Sequence, residues 1–298
     1  MTTLRIGTRG SKLAMVQSET VASLLRSAHP GIEVELLTIS TAGDRDQSTP
    51  LPEGSGAGWF TTAIQEALQR SEIDVAVHSY KDLPTRRAEG LTIAAIPHRE
   101  DPRDALVSRR GETLRGLPAG AVVGTSSPRR EAQLREIRPD VEIRPIRGNV
   151  DSRIAKVEAG DYDATVLALA GLSRLGLGHR VNHIFGYEEM LPAPAQGALA
   201  VECRAGDIAT REVLAAIDDP ALRQEVAAER TFLATIDGGC SFPAAAHAEH
   251  FGTTLKLSAL IASDGRIVRS KMAGQAATAS GLGRALAEEL MVLARGRG

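Results

Sequence analysis

Cysteine is scarce in this 298-residue chain: Cys203 and Cys240 are the only two, enough for one disulfide and too few for a disulfide framework. Neither has a metal-ligand neighbour at CxxC spacing, so no zinc motif is legible. Aromatic residues make up 3% of the chain, which leaves few platforms on which bases stack. Net charge is nearly absent as well, with 35 basic against 37 acidic residues, and no overall field draws in nucleic acid. No apolar run approaches the roughly 20 residues that span a bilayer. The start, MTTLRIGTRG, lacks the basic and apolar pattern of a signal segment. The expectation is a cytoplasmic protein with reduced thiols, acting on neither nucleic acid nor membrane.

What is present is ordinary globular composition, 43% hydrophobic and 24% charged, with 29 glycines for tight turns. The length allows two or three domains. LRIGT at 4–8 reads as a strand, and Leu13, Val16, Val21, Leu24 and Leu25 mark one face of the helix after it. GIEVELLTIST at 31–41 is the next strand. A loop rich in glycine, proline and charge follows over 42–58 and is expected to be mobile. A helix over 61–70, a buried strand DVAVHSYKDLP at 74–84 and a further strand LTIAAIP complete the first unit.

After REDPRDALV at 99–107 the alternation starts again: AVVGTSS strand, PRREAQLREI helix, VEIRPIRG strand, VDSRIAKVEAG helix, then YDATVLALAGLSRLGL as one more pair. PAPAQGALAVECR at 192–204 is a proline-rich crossing and a strand that could return to the first unit. Such alternation predicts two α/β domains, each a mostly parallel sheet with helices on both faces. A cleft between them is the expected ligand site. From 220 the pattern changes to a small α+β domain. TLKLSALIAS and RIVRSKMAG flank Asp264 and Gly265, a two-residue hairpin signal, and a helix over 280–295 closes the chain. The predicted domains are 1–97 with 198–216, 102–193 and 220–298.

AERTFLATIDGGCSFP, 228–243, begins inside a helix whose apolar face carries Leu222, Val226, Leu233 and Ile236. Gly238 and Gly239 are expected to supply the positive angles that stop it. Cys240 then stands on a loop, where a thiol is open to a small molecule, whereas a cysteine in an apolar stripe behaves as an inert hydrophobe. Glu229, within the apolar face, is expected to have a buried partner and a structural role.

Cations fall at the starts of helices. In GTSSPRR, Ser127 reads as the cap and Pro128 as the first helical residue, so Arg129 and Arg130 lie in the first turn. Positive charge is unfavourable there, by about 0.3–1 kcal/mol each, unless an anion is shared between them. GTRGS places Arg9 and Ser11 at one further start, and IRGNVDSR places Arg147 and Arg153 around another. Any one of these arginines reads as a solvated surface residue. Three strand-to-helix junctions together point to a ligand at the carboxyl ends of the strands. Arginine takes carboxylate or phosphate through two parallel hydrogen bonds, and with no GxxxxGK stretch the expected ligand carries several carboxylates. Lys81 and Asp82 end a strand in the same set. Asp82 would stay ionised among cations, hold a developing positive charge and shuttle a proton. A plain ion pair with Lys81 is the alternative. His247 and His250 form HxxH without a third ligand and read as a surface pair, so no metal is expected. His78 and Ser79 point to opposite faces of one strand and cannot act as base and nucleophile.

HSYKDLP, EDPRDALVS, VGTSSPRR, IRGNVDSR, LALAGLSRLGL, QGALAVECR and ERTFLATIDGGC, in that order and across nearly the whole chain, resemble the porphobilinogen deaminase family, also called hydroxymethylbilane synthases. The resemblance implies two periplasmic-binding-protein-like domains, a small third domain, and a dipyrromethane cofactor in thioether linkage to Cys240. It implies a monomer that deaminates porphobilinogen, polymerises it and releases a linear tetrapyrrole. Asp82 matches the catalytic acid. Arg9, Ser11, Lys81, Ser127, Arg129, Arg130, Arg147, Arg153 and Arg174 match groups that bind acetate and propionate side chains, and Phe60 matches an aromatic near the cleft. The chain departs from the pattern at Ala42, Glu53 and Ala57, which remove cations from the 42–58 loop, at Ala195 in place of a glycine before Gln196, and at Phe242 and Ala244. Two other readings stay open: a paralogue that holds the cofactor but turns over poorly, and a soluble carboxylate-binding protein of the same fold.

Overall fold

The structure, a computed structural model, describes residues 3–40, 58–237, 242–263 and 265–295, with backbone alone for 58–60. Two compact units are present, 1–99 with 198–223, and 100–197 with 224–298.

In the first unit, β1 (Thr3–Thr8) leads into α1 (Lys12–Ala28), followed by β2 (Glu33–Thr38), α2 (Gly58–Gln69), β3 (Val75–Ser79) and β4 (Leu91–Ala95). The second unit opens with β5 (Asp104–Ser108) and continues through β6 (Val122–Gly124), α3 (Pro128–Ile137), β7 (Glu142–Arg144), α4 (Val150–Ala159), β8 (Ala164–Ala168), α5 (Leu169–Arg174) and β9 (His183–Ile184). β10 (Leu199–Arg204) returns to the first unit and is followed by α6 (Ile208–Ala215), and α7 (Pro220–Thr235) runs from the first unit into the second. β11 (Ala244–Phe251), β12 (Thr254–Ser263), β13 (Arg266–Gln275) and α8 (Ala279–Arg295) complete the second unit.

The two five-stranded sheets share one plan, β2-β1-β3-β10-β4 and β7-β6-β8-β5-β9. In each, the first three strands are parallel, and the fourth runs antiparallel to both neighbours. In the first sheet that strand is β10, which re-enters the unit from the chain's second half. Alternation puts side chains on both faces of each sheet. Leu106 packs with Val123, Leu134, Val166 and Phe185, whereas its neighbours Ala105 and Val107 pack with Ile154, Leu167 and Leu172 on the other side. In the first unit, Leu4, Ile6, Val75, Val77, Leu199 and Val201 meet Val21 and Leu25 of α1. A second cluster there joins Ile64 and Leu68 of α2 to Ile73 and Leu91. β11-β12-β13 is an antiparallel sheet whose Leu255, Leu257 and Ile261 pack on Phe232 of α7 and Leu282, Leu286 and Leu290 of α8.

Several local readings change. Lys81 and Asp82 lie in a short helical turn, Tyr80–Asp82, beyond the end of β3, because Tyr80 and Leu83 on either side are buried and the next residue is proline. β11 lacked a sequence signal: AAAHAEHF is alanine-rich and holds no β-branched residue. His247 is buried, not superficial, with its ring 4.3 Å from that of Tyr187. α7 stops at Thr235 and the positive angle just beyond it belongs to Asp237, at φ 53°; Gly238, Gly239 and Cys240 lie outside the described residues. Asp264 does also, although Gly265 has φ 73° and Ser263 pairs with Arg266.

Candidate functional site

In the first unit, the β1 to α1 junction carries Arg9, half-buried, and Ser11, whose Oγ caps α1 by accepting the Ala14 N–H at 3.3 Å. Gln17 of α1 reaches across to the end of β3, its Nε2 donating to Ser79 Oγ at 2.8 Å. That bond ties the Arg9 and Ser11 junction to the turn bearing Lys81 and Asp82. Burial of Tyr80 and Leu83, with the Leu83 N–H donating to the Tyr80 carbonyl, leaves Lys81 half-buried and Asp82 exposed. Below the turn, buried His78 Nε2 lies 3.1 Å from Glu202 of β10, and the same carboxylate accepts from Gln65 of α2. Phe60 lies at the start of α2, its side chain outside the described residues.

In the second unit, Ser127 caps α3 and Pro128 is its first residue. Arg129 and Arg130 are both buried in the first turn, and the anion they share comes from the protein: Asp104 of β5, fully buried. Arg129 Nη1 donates to Asp104 Oδ2 at 2.7 Å and to the Leu191 carbonyl. Arg130 grips Oδ1 through Nε and Nη2, at 3.1 and 2.7 Å, and donates through Nη1 to the Val166 carbonyl. Gln196 Nε2 adds a third partner on Oδ1 at 2.9 Å. Burial by itself would push the Asp104 carboxyl up, but the charges and hydrogen bonds of Arg129 and Arg130 outweigh it and hold the group far below the usual carboxylate range.

The turn over 192–197 gathers these groups. The Ala195 N–H donates to Glu229 of α7 at 2.6 Å, and Gln196 holds Asp104 and the Pro102 carbonyl. Arg174, the last residue of α5, donates to the Gly197 carbonyl at 2.7 Å. Burial lowers the Arg174 pKa to about 10, against the charge of Glu100, and leaves it cationic at neutral pH. Gly197 has φ 86°, and a Cβ there would collide with the Glu100 carbonyl. Arg147 and Arg153 flank the start of α4, where Arg153 Nε donates to the Gly148 carbonyl. Ser126 links this junction to that of α3, since its hydroxyl donates to the Ile146 carbonyl and accepts the Ile146 N–H. The sequence-marked residues thus form two groups, one within each unit.

Glu229 has the buried partners expected of it: besides Ala195 it accepts the Ala248 N–H of β11 at 2.9 Å, with His247 Nδ1 at 3.5 Å. The two cysteines separate clearly. Cys203, next to the end of β10, is buried, and burial pushes its thiol up to about 11, so it is closed to chemistry at neutral pH. Cys240 lies outside the described residues. Among the described residues no group of three or more potential ligands is placed to hold a metal ion, and no helix is long and apolar enough to cross a membrane. Sequence reasoning assigned no role to Asp104 or Gln196. The available signal was an acidic residue opening an apolar strand, which demands a buried counter-charge.

Two family models match in succession: "Porphobilinogen deaminase, dipyromethane cofactor binding domain" over residues 4–212, and "Porphobilinogen deaminase, C-terminal domain" over 223–292. The porphobilinogen deaminase of Acidothermus cellulolyticus is 50% identical over 98% of this chain and 89% of its own, and that of Roseiflexus castenholzii 48% over 97% and 95%. Among solved structures, the periplasmic VFT2 domain of Bordetella pertussis BvgS aligns at TM-score 0.44 and 14% identity, covering 72% of this chain and 86% of that one.

Proposed function

The chain belongs to the porphobilinogen deaminase family, transferases that deaminate porphobilinogen and join four units into hydroxymethylbilane for tetrapyrrole biosynthesis, and from that premise we propose which of its residues carry the reaction. Family membership implies a dipyrromethane cofactor. Cys240 is its covalent anchor, through a thioether. When bound, the cofactor supplies the pyrrole terminus to which the first substrate unit is joined.

The donors fit such a polycarboxylate. Among the described residues, Arg129 is bonded through Nη1 alone, which leaves Nε and Nη2 as a parallel pair for a ligand carboxylate. Arg129, Arg130, Lys81 and Ser127, with Asp82, hold the cofactor. Arg9, Ser11, Arg147, Arg153 and Arg174 receive the acetate and propionate groups of substrate, and Phe60 lines its path. Arg174 stays charged despite its burial. Fixed cations of this kind orient the pyrrole without reorganising during the reaction.

Asp82 is the catalytic carboxylate. The observation that carries this reading is its position: exposed at the tip of a turn whose flanks, Tyr80 and Leu83, are buried, so that the acid is presented outward on a rigid support. There it stabilises the methylene pyrrole cation left when porphobilinogen loses ammonia, and accepts the proton released when the new carbon–carbon bond restores the aromatic ring. The domains divide at 1–97 with 198–216, 102–193 and 220–298. The enzyme is a cytoplasmic monomer acting on porphobilinogen, with no metal, nucleic acid or membrane partner. Asp82→Asn tests the catalytic role. Ammonia release from porphobilinogen should fall by about 10²-fold or more with the melting curve unchanged; an undiminished rate would remove Asp82 from the mechanism.

A further inference from the structure

Asp104 has no ligand-facing role in the proposed reaction, yet it is the most heavily bonded carboxylate near the arginines. It is fully buried and receives Arg129, Arg130 twice and Gln196, with donor distances of 2.7–3.1 Å. An ionised carboxylate in such a place is strongly unfavourable unless paired, and two guanidiniums in the first turn of a helix are unfavourable without an anion. Each side of the cluster therefore requires the other. The arrangement also settles orientation: both oxygens of Asp104 are engaged, the Leu191 carbonyl shares Arg129 Nη1 with Asp104, and the Val166 carbonyl holds Arg130 through Nη1, the nitrogen Asp104 does not use. With one internal carboxylate against two guanidiniums, the pair retains a net single positive charge.

We propose that Asp104 is a positioning residue, which, steered by Gln196, fixes the guanidiniums of Arg129 and Arg130 in the orientation that receives a ligand carboxylate. The inference rests on the assignment of those arginines to the cofactor. Gln196 belongs to the 192–197 turn, whose Ala195 N–H is held by Glu229 of α7 and whose Gly197 carbonyl is held by Arg174. Three cations are thereby referenced to one short segment. Misplacing a binding group by about 1 Å costs on the order of 10²-fold in rate, so a group that sets orientation has a kinetic signature distinct from its contribution to stability.

The test compares the purified enzyme with Asp104→Asn and Gln196→Leu. After incubation with porphobilinogen, each is read by intact mass for covalent modification, by ammonia release for kcat and KM, and by melting. Asn keeps the shape of Asp104 but turns an amide donor toward a guanidinium. Leu removes the side-chain bonds of Gln196, to Asp104 and to the Pro102 carbonyl, and leaves the ion pairs. Positioning predicts that Asp104→Asn loses modification, or keeps it with kcat/KM lowered by about 10²-fold. For Gln196→Leu it predicts a cooperative melt with kcat/KM lowered by about tenfold, mainly through KM. Normal kcat/KM in either folded variant would overturn the proposal, and if Asp104→Asn fails to fold, Gln196→Leu decides alone. A parent enzyme that neither gains mass nor releases ammonia would instead overturn the cofactor assignment.

Discussion

Glu229→Gln is expected to destabilise the second unit without touching any residue assigned to substrate. The Glu229 carboxylate is fully buried and accepts two backbone N–H groups, from Ala195 at 2.6 Å and Ala248 at 2.9 Å. It thus ties α7 both to the 192–197 turn and to β11. Hydrogen bonds to a charged group contribute about 1.5–3 kcal/mol each. Glutamine has the same shape but one acceptor oxygen, so one bond becomes neutral and the other N–H faces an amide donor. The expected loss is about 3 kcal/mol, on the order of 10 °C in melting temperature for a body of this size. It is read from urea unfolding followed by far-UV circular dichroism and from calorimetry. His247 lies against the same carboxylate, its Nδ1 buried and lacking a hydrogen-bond partner among the described residues. A stability change below about 1 kcal/mol would refute the view that Glu229 holds these segments together.

Ala195 has φ 62°, a region that costs a non-glycine residue about 1 kcal/mol or more; glycine's greater freedom when unfolded offsets roughly half of the relief. Ala195→Gly should raise the melting temperature by about 1–2 °C, and a decrease would show that the angle is unstrained. Asp104 has a depressed folded pKa, so its contribution is complete above the unfolded carboxylate value of about 3.9 and is lost as pH falls toward the folded value. Stability should decline more steeply below about pH 4 in the parent than in Asp104→Asn, by up to about 1.4 kcal/mol per pH unit; parallel declines would contradict the shift. Cys203, buried with its thiol pushed up to about 11, should resist iodoacetamide in the native protein at neutral pH and react only on unfolding. Peptide mapping that finds it alkylated in native protein would show β10 to be open.

Much of the fold was legible because its elements are local. The PRREAQLREI helix begins and ends at the expected residues, since Ser127, Pro128 and the apolar spacing all act within a few positions. β11 was not legible, because an alanine-rich strand is stabilised by packing against β12 and α7 rather than by its own composition. The site divides in the same way. Capping explains why Arg129 and Arg130 fall at a helix start, and sequence alone asked for a shared anion. It could not say that the anion is Asp104, separated from them by some 25 positions and brought close by sheet pairing. Lys81 and Asp82 were placed on the strand itself because nothing local marks where β3 yields to a turn; buried Tyr80 and Leu83 make that decision.

The central claim is that Cys240 carries the cofactor, and the intact mass of the purified protein beside that of Cys240→Ser tests it most directly. The account predicts a mass excess equal to a thioether-linked dipyrromethane in the parent and none in the variant, with Cys203 present in both. An unmodified parent that stays unmodified after incubation with porphobilinogen, or an excess that survives in Cys240→Ser, would contradict it.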